Sequence, residues 1–234
     1  MFEQLSFGSE GWGDEYFWAA VLVIELSLAS AAFGVVLGLL AAWGKLSRSR
    51  AAARIAGAYT TVIRGIPELL VIYIVFFGSS ILLQRLLAKL GYDEYIEINA
   101  FATGVFALGL VAGAFAAEVF RGAILAVPRG QIEAAKACGM PSALVFRRIL
   151  FPQMLRFAIP GLGNIWLILM KDTALISVIA LDELIRTSRI ASEAERLPFT
   201  FYFVAAMIYL ALTTVSTGGL QRIERWTRRG VRRA

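Results

Sequence analysis

The sequence predicts an all-α integral membrane protein with five transmembrane helices, its N-terminus outside and its C-terminus in the cytoplasm. Three observations predict this. First, 59% of the 234 residues are hydrophobic and only 17% are charged, whereas soluble domains are about half apolar and about a quarter charged. Second, five stretches, at about 17–43, 58–83, 99–126, 158–181 and 198–220, are each long enough for the ~20 residues a helix needs to cross the hydrocarbon core. Third, the charges alternate. The connector 44–57, the segment 127–157 and the tail after Leu220 hold 15 of the 23 basic residues and 2 of the 17 acids. The first sixteen residues and the connectors 84–98 and 182–197 hold 5 basic residues and 11 acids. Basic connectors stay inside, which sets the orientation of every span. Helices are required because lipid cannot satisfy open backbone groups. One membrane domain, 1–234, accounts for the chain.

Residues 1–16 carry four acids and no Lys or Arg, the reverse of the basic start of a secretory signal, and the first apolar stretch is too long for a signal core. That stretch is apolar except for Glu25. Its Gly34 and Gly38, and Gly109 and Gly113 in the third stretch, have the spacing that permits close helix contact, although such pairs are common in apolar spans. The second stretch is interrupted by Arg64-Gly65-Ile66-Pro67-Glu68. Pro67 lacks an N–H and pushes Ile66 out of helical geometry, so a break is expected there. Arg64 and Glu68 are four apart, but in the weaker order for an ion pair. The third stretch contains Glu118 and Arg121, the fourth Lys171 and Asp172, and the fifth no charge. A charge at mid-bilayer costs about 2.5–3.5 kcal/mol on insertion scales, so each needs a partner or a wet cavity. Lys171 and Asp172 are adjacent and cannot face each other on one helix. Each therefore pairs with another span, for instance at Glu25 or Glu118, or both line a solute site. With Thr173 and Ser177 nearby, such a site would suit a zwitterion.

Between the third and fourth spans lies a loop, 130–157, which contains the longest polar interruption in the chain. Gln131 to Cys138 favours a helix, Gly139 stops it, and Pro141 suits the first turn of another. Val145 and Ile149, like Phe146 and Leu150, are four apart and can form an apolar stripe. Pro152 and Pro160 are expected to interrupt the pattern, leaving two short helices across the membrane surface.

Several classes are excluded. The net charge of +6 lies in the inner segments, which fits topology and anionic lipid headgroups rather than nucleic acid. The single Cys138 allows no internal disulfide, and the chain has no histidine, the commonest general base and metal ligand. There is no phosphate-binding G-x-x-x-x-G-K-[ST] loop; the nearest approach, Gly44-Lys45, is followed by Leu46.

Glu133, Ala134, Ala135, Gly139, Ile149 and Pro152 fit the EAA pattern of ABC-importer membrane subunits, and the loop resembles the coupling helix of those permeases. Tyr59-Thr-Thr-Val-Ile-Arg-Gly-Ile-Pro-Glu68, Glu118-Val-Phe-Arg-Gly-Ala123, Pro160-Gly-Leu-Gly-Asn164 and Lys171-Asp-Thr-Ala-Leu-Ile-Ser177 resemble the polar amino acid branch. The likeness is strongest to histidine/lysine/arginine/ornithine and opine (octopine, nopaline) permeases, over about 58–184. The resemblance implies a type I ABC importer permease in the bacterial inner (cytoplasmic) membrane, and not an enzyme. It implies solute binding by Arg64, Glu68, Lys171, Asp172, Thr173 and Ser177, and ATPase coupling by Glu133, Ala134, Ala135 and Gly139. The acids Glu68 and Asp172 would favour a cationic side chain. The implied partners are a homodimeric ATP-binding subunit, a second related permease (a heterodimer or homodimer) and a periplasmic solute-binding protein. No cofactor or metal is expected in this chain, with ATP and Mg on the partner ATPase. The alternative is a proton- or ion-coupled secondary amino acid transporter using Glu25 and Glu118, against which stands the lack of visible inverted repeats.

Overall fold

The computed structural model describes residues 3–8, 11–91, 98–179 and 181–227. Among them there is no strand. Five helices are long and apolar enough to cross a membrane. The expected outer acids Glu10, Asp93, Glu94 and Glu97 lie outside the described residues, as does the basic end of the tail from Arg228.

Among the described residues nine α-helices follow in order. Helix α1 (Gly13–Leu46) is the first span and α2 (Arg50–Gly65) is short and amphipathic. Ser49 caps α2 by accepting from the Ala52 amide, a favoured N-cap arrangement. Ile66 is extended, with φ −102° and ψ 136°, as a residue before proline should be. The apolar stretch 58–83 is thus divided at Pro67, and the second span, α3, is Glu68–Lys89. Helix α4 (Ala100–Leu125) opens on Asn99, whose side chain accepts from the Ala102 amide at 2.9 Å.

Three residues, Ala126 to Pro128, join α4 to α5 (Arg129–Ala137). Val127, in the middle, is buried. Gly139 sits at φ +78°. The Met140 amide donates to the Ala135 carbonyl and the Gly139 amide to that of Lys136. This is the Schellman ending that favours glycine.

The expected second short helix is corrected by the structure. Helix α6 (Ser142–Val145), a π-helical turn at Phe146–Leu150 and α7 (Phe151–Asp172) run on without interruption. Pro152 falls at the first helical positions of α7, directly after the π-helical turn, whose wider spacing accommodates a residue without an N–H. The wide turn just before it is closed by the Phe151 amide on the Phe146 carbonyl. Pro160 lies inside α7, where it removes one hydrogen bond, a loss membrane helices tolerate where neighbouring elements re-satisfy the backbone.

After Asp172 the chain tightens into a 3-10 turn, Thr173–Ile179. Helix α8 (Leu184–Glu195) follows, and α9 (Pro198–Thr227) is the fifth span. Helix α8 lies in the segment read as a plain connector. Its buried residues Leu184, Thr187, Ser188, Ala191 and Ser192 follow the i, i+3, i+4, i+7 spacing. They are mostly small or polar, so hydropathy did not mark them.

Helix α4 is the centre and α3 and α9 the periphery. Exposed Leu40, Trp43, Ile74, Phe199 and Val215 form faces suited to lipid. The two glycine pairs meet across the α1–α4 crossing. A Cβ on Gly38 would sit 2.7 Å from the Ala116 Cβ, and one on Gly113 would sit 2.9 Å from the Leu37 Cβ. Overpacking of this kind costs about 1–3 kcal/mol. Gly38→Val should therefore lower the thermal midpoint and the yield of the purified chain. Gly218→Ala, with nothing within 4 Å, should not; equal midpoints for the two variants would refute the crossing.

Candidate functional site

Of the residues singled out for solute binding, Arg64, Glu68 and Asp172 come together. They line a cavity of about 330 Å³ between the end of α2, the start of α3, and the facing sides of α4 and α7. The break at Pro67 positions the first two: Arg64 ends α2 and Glu68 begins α3. A carboxylate at a helix N-terminus is favoured by the helix dipole. On α7 the lining residues Asn164, Ile168 and Asp172 are four apart and share one face. On α4 they are Leu108, Val111, Ala112, Phe115, Glu118 and Val119, again one stripe. Gly161 lets α7 approach, since a Cβ there would meet Val119 at 2.8 Å.

The charges in this cavity are unevenly paired. Glu118 accepts from Lys45 of α1 in a short ion pair and from the Arg121 Nε at 3.0 Å, and it lies 3.9 Å from Arg64 Nη1. One carboxylate therefore answers three cations. Arg64 is the loosest of them, with its side chain 42% exposed and its guanidinium 5.2 Å from the Phe115 ring centre, within cation–π range. The Arg64–Glu68 pair considered from the sequence does not form. Among the described residues neither Glu68 nor Asp172 has an ion-pair partner. The cavity thus has a cationic end and two unpaired carboxylates, within mostly apolar walls.

The other three expected residues lie elsewhere. Lys171 is exposed. Thr173 is fully buried, and its hydroxyl donates to the Met170 carbonyl at 2.8 Å. Ser177 is half-buried in the 3-10 turn. None of them lines the cavity. Nor does either residue of the Lys171–Asp172 pair reach Glu25 or Glu118: Glu118 is engaged as described, and Glu25 lines a separate cleft with Asp14, Glu15 and Asp182. Sequence reasoning did not place Glu118 or Asn164 in the site. The available signals were the i, i+3 spacing of Glu118 and Arg121 and the two-turn spacing of Asn164 and Asp172.

The residues expected to couple to an ATPase fall on α5 and its end. Glu133, Ala134 and Gly139 are exposed, whereas Ala135 is buried, where its small side chain lets α5 seat against the following helix. Among the described residues no group of His, Cys, Asp and Glu could hold a metal.

The sequence profile of the binding-protein-dependent transport system inner membrane component family matches residues 34–229. The nopaline transport system permease protein of Agrobacterium fabrum is 48% identical over 229 residues, 97% of each chain. The histidine/lysine/arginine/ornithine transport system permease protein of Escherichia coli is 42% identical over 215 residues, 92% of this chain and 94% of the other. The crystal structure of an amino acid ABC transporter with histidines superposes with a TM-score of 0.78 at 30% identity, covering 92% of this chain and 94% of the other.

Proposed function

The chain belongs to the binding-protein-dependent transport system inner membrane components, the membrane-spanning permease subunits of ATP-driven importers, and on that premise we propose that its cavity passes cationic amino acids or opines. The observation that carries this reading is the pairing pattern of the cavity. Arg64, only loosely held by Glu118, is free to take an α-carboxylate. Glu68 and Asp172, both unpaired and lining the same space, would take the cationic side chain. An opposite charge in a low-dielectric site is a strong selector. Relatives named for nopaline and for histidine, lysine, arginine and ornithine transport agree with a basic solute.

The working assembly would hold two permease chains, this one with a related copy or with itself. It would also hold a homodimeric ATP-binding subunit that carries ATP and Mg, and a solute-binding protein on the outer side. Helix α5, with Glu133 and Ala134 outward and Gly139 at its end, would dock on the ATP-binding subunit. The charge distribution supports placing α5 and the C-terminus inside and the N-terminus outside, with anionic lipid against the basic inner segments.

The test is uptake of labelled arginine by the reconstituted complex, competed by arginine, histidine, glutamine and octopine. Arginine and octopine should compete at least about tenfold better than glutamine, and uptake should need ATP. Equal competition by glutamine would remove the charge argument. Uptake without an ATP-binding subunit, lost on adding an uncoupler, would make the chain a secondary transporter.

A further inference from the structure

A second polar network lies at the end of α7, outside the cavity lining. Glu183 is fully buried and caps α8, accepting from the Ile185 amide at 2.8 Å and the Arg186 amide at 2.9 Å. The Tyr209 hydroxyl of α9 donates to its Oε2 at 3.2 Å. That hydroxyl also lies 3.4 Å from the Thr173 hydroxyl, whose own proton goes to the Met170 carbonyl. With Glu183 ionised the Tyr209 proton goes to Oε2 and the Thr173 contact carries none, whereas a protonated Glu183 donates to Tyr209 and frees it to donate to Thr173. Thr173 follows Asp172 directly and begins the seven-residue 3-10 turn. Runs of this helix beyond three or four residues are uncommon, and a switch into one often marks a hinge. Helix α8 is fixed again one turn on, where Ser188 Oγ lies 2.9 Å from the Tyr16 hydroxyl, which also donates to the Phe201 carbonyl. Buried polar chains of this kind are costly unless fully satisfied, and when satisfied they hold one arrangement.

We propose that Glu183, Tyr209 and Thr173 form a positioning latch that binds α8 and α9 to the start of the 173–179 turn and so fixes the cavity wall that carries Asp172. None of the three lines the cavity; they act through Asp172. The latch rests on the reading of Asp172 as a solute-selecting carboxylate. It also accounts for Thr173, which the solute site leaves unused.

The latch titrates. Burial pushes the Glu183 carboxyl up to about 7, opposed by its hydrogen bonds from Ile185, Arg186 and Tyr209. Tyr209 is the titratable group facing it from α9, and Tyr16 of α1 reaches α8 at Ser188. The 173–179 turn has none. On its own element Asp182 and Arg186 pair with each other at 2.5 Å. Because the native value lies above the ordinary 4.5, burial of the ionised form costs stability in full above about pH 7. That cost is relieved as the pH falls from about 7 toward 4.5.

The experiment measures the ratio of arginine to glutamine uptake by the complete reconstituted complex, since neither side chain titrates between pH 6 and 8. Tyr209→Phe should lower the ratio about fivefold with the yield of assembled complex unchanged. Adding Thr173→Val should lower it little further, as expected of two groups in one chain. The wild-type ratio should change across pH 6 to 8, while Glu183→Gln, which keeps the acceptor oxygen without the titration, should show a shallower profile. Asp172→Asn is the control. If it leaves the ratio unchanged, the solute reading fails. If it collapses the ratio but Tyr209→Phe does not, or if the two latch variants act additively, the latch is refuted. Parallel pH profiles for wild type and Glu183→Gln would also refute it.

Discussion

Asp172→Asn should reduce arginine uptake about 10- to 100-fold and glutamine uptake less than about threefold. The substitution keeps the shape of the side chain and removes one of two unpaired carboxylates that face the cavity. Unit charges 4 Å apart at an effective dielectric constant of 20 attract by about 4 kcal/mol. Desolvation of both groups takes back part of this. A net loss of about 1.4–2.7 kcal/mol corresponds to the stated range. Glu68 remains and limits the effect, so Glu68→Gln combined with Asp172→Asn should cost more than either alone. Initial uptake rates with the solute-binding protein saturated would measure this. A similar loss for arginine and glutamine would mean that Asp172 serves the helix rather than the solute.

Gly139→Val should abolish coupled transport. A β-branched residue at φ +78° carries about 1–2 kcal/mol of strain, and relieving it means dismantling the Schellman ending of α5. Glu133→Ala should cut uptake about tenfold or more by removing an exposed carboxylate from the proposed docking face. In both variants ATP hydrolysis should no longer rise when the solute-loaded binding protein is added, while solute competition keeps its order. Unchanged uptake in both would remove α5 from the coupling step.

The features fixed by long-range averages were legible in the sequence. Five apolar stretches and an alternating charge pattern need no tertiary information, and the Pro67 break follows from one missing N–H. The end of α5 at Gly139 was legible for the same local reason. Pairing across the bundle was not. Glu118 is drawn to Lys45, 73 residues away, and no spacing rule reaches that far. Helix α8 was missed because its buried face is made of Thr187, Ser188, Ala191 and Ser192 beside Leu184, too polar to register as a core stripe. Proline misled at Pro152, because the π-helical turn before it removed the break its chemistry suggested.

The joint at Ala126–Pro128 is three residues long, with Val127 packed at its middle. Glu118 stands seven residues before the end of α4, roughly 10 Å along the axis at 1.5 Å per residue. A push on α5 is thus a push on the same rod that holds three cations around one carboxylate. If α5 docks on the ATP-binding subunit as proposed, engine stroke and rearranged wall would be one event rather than two in succession.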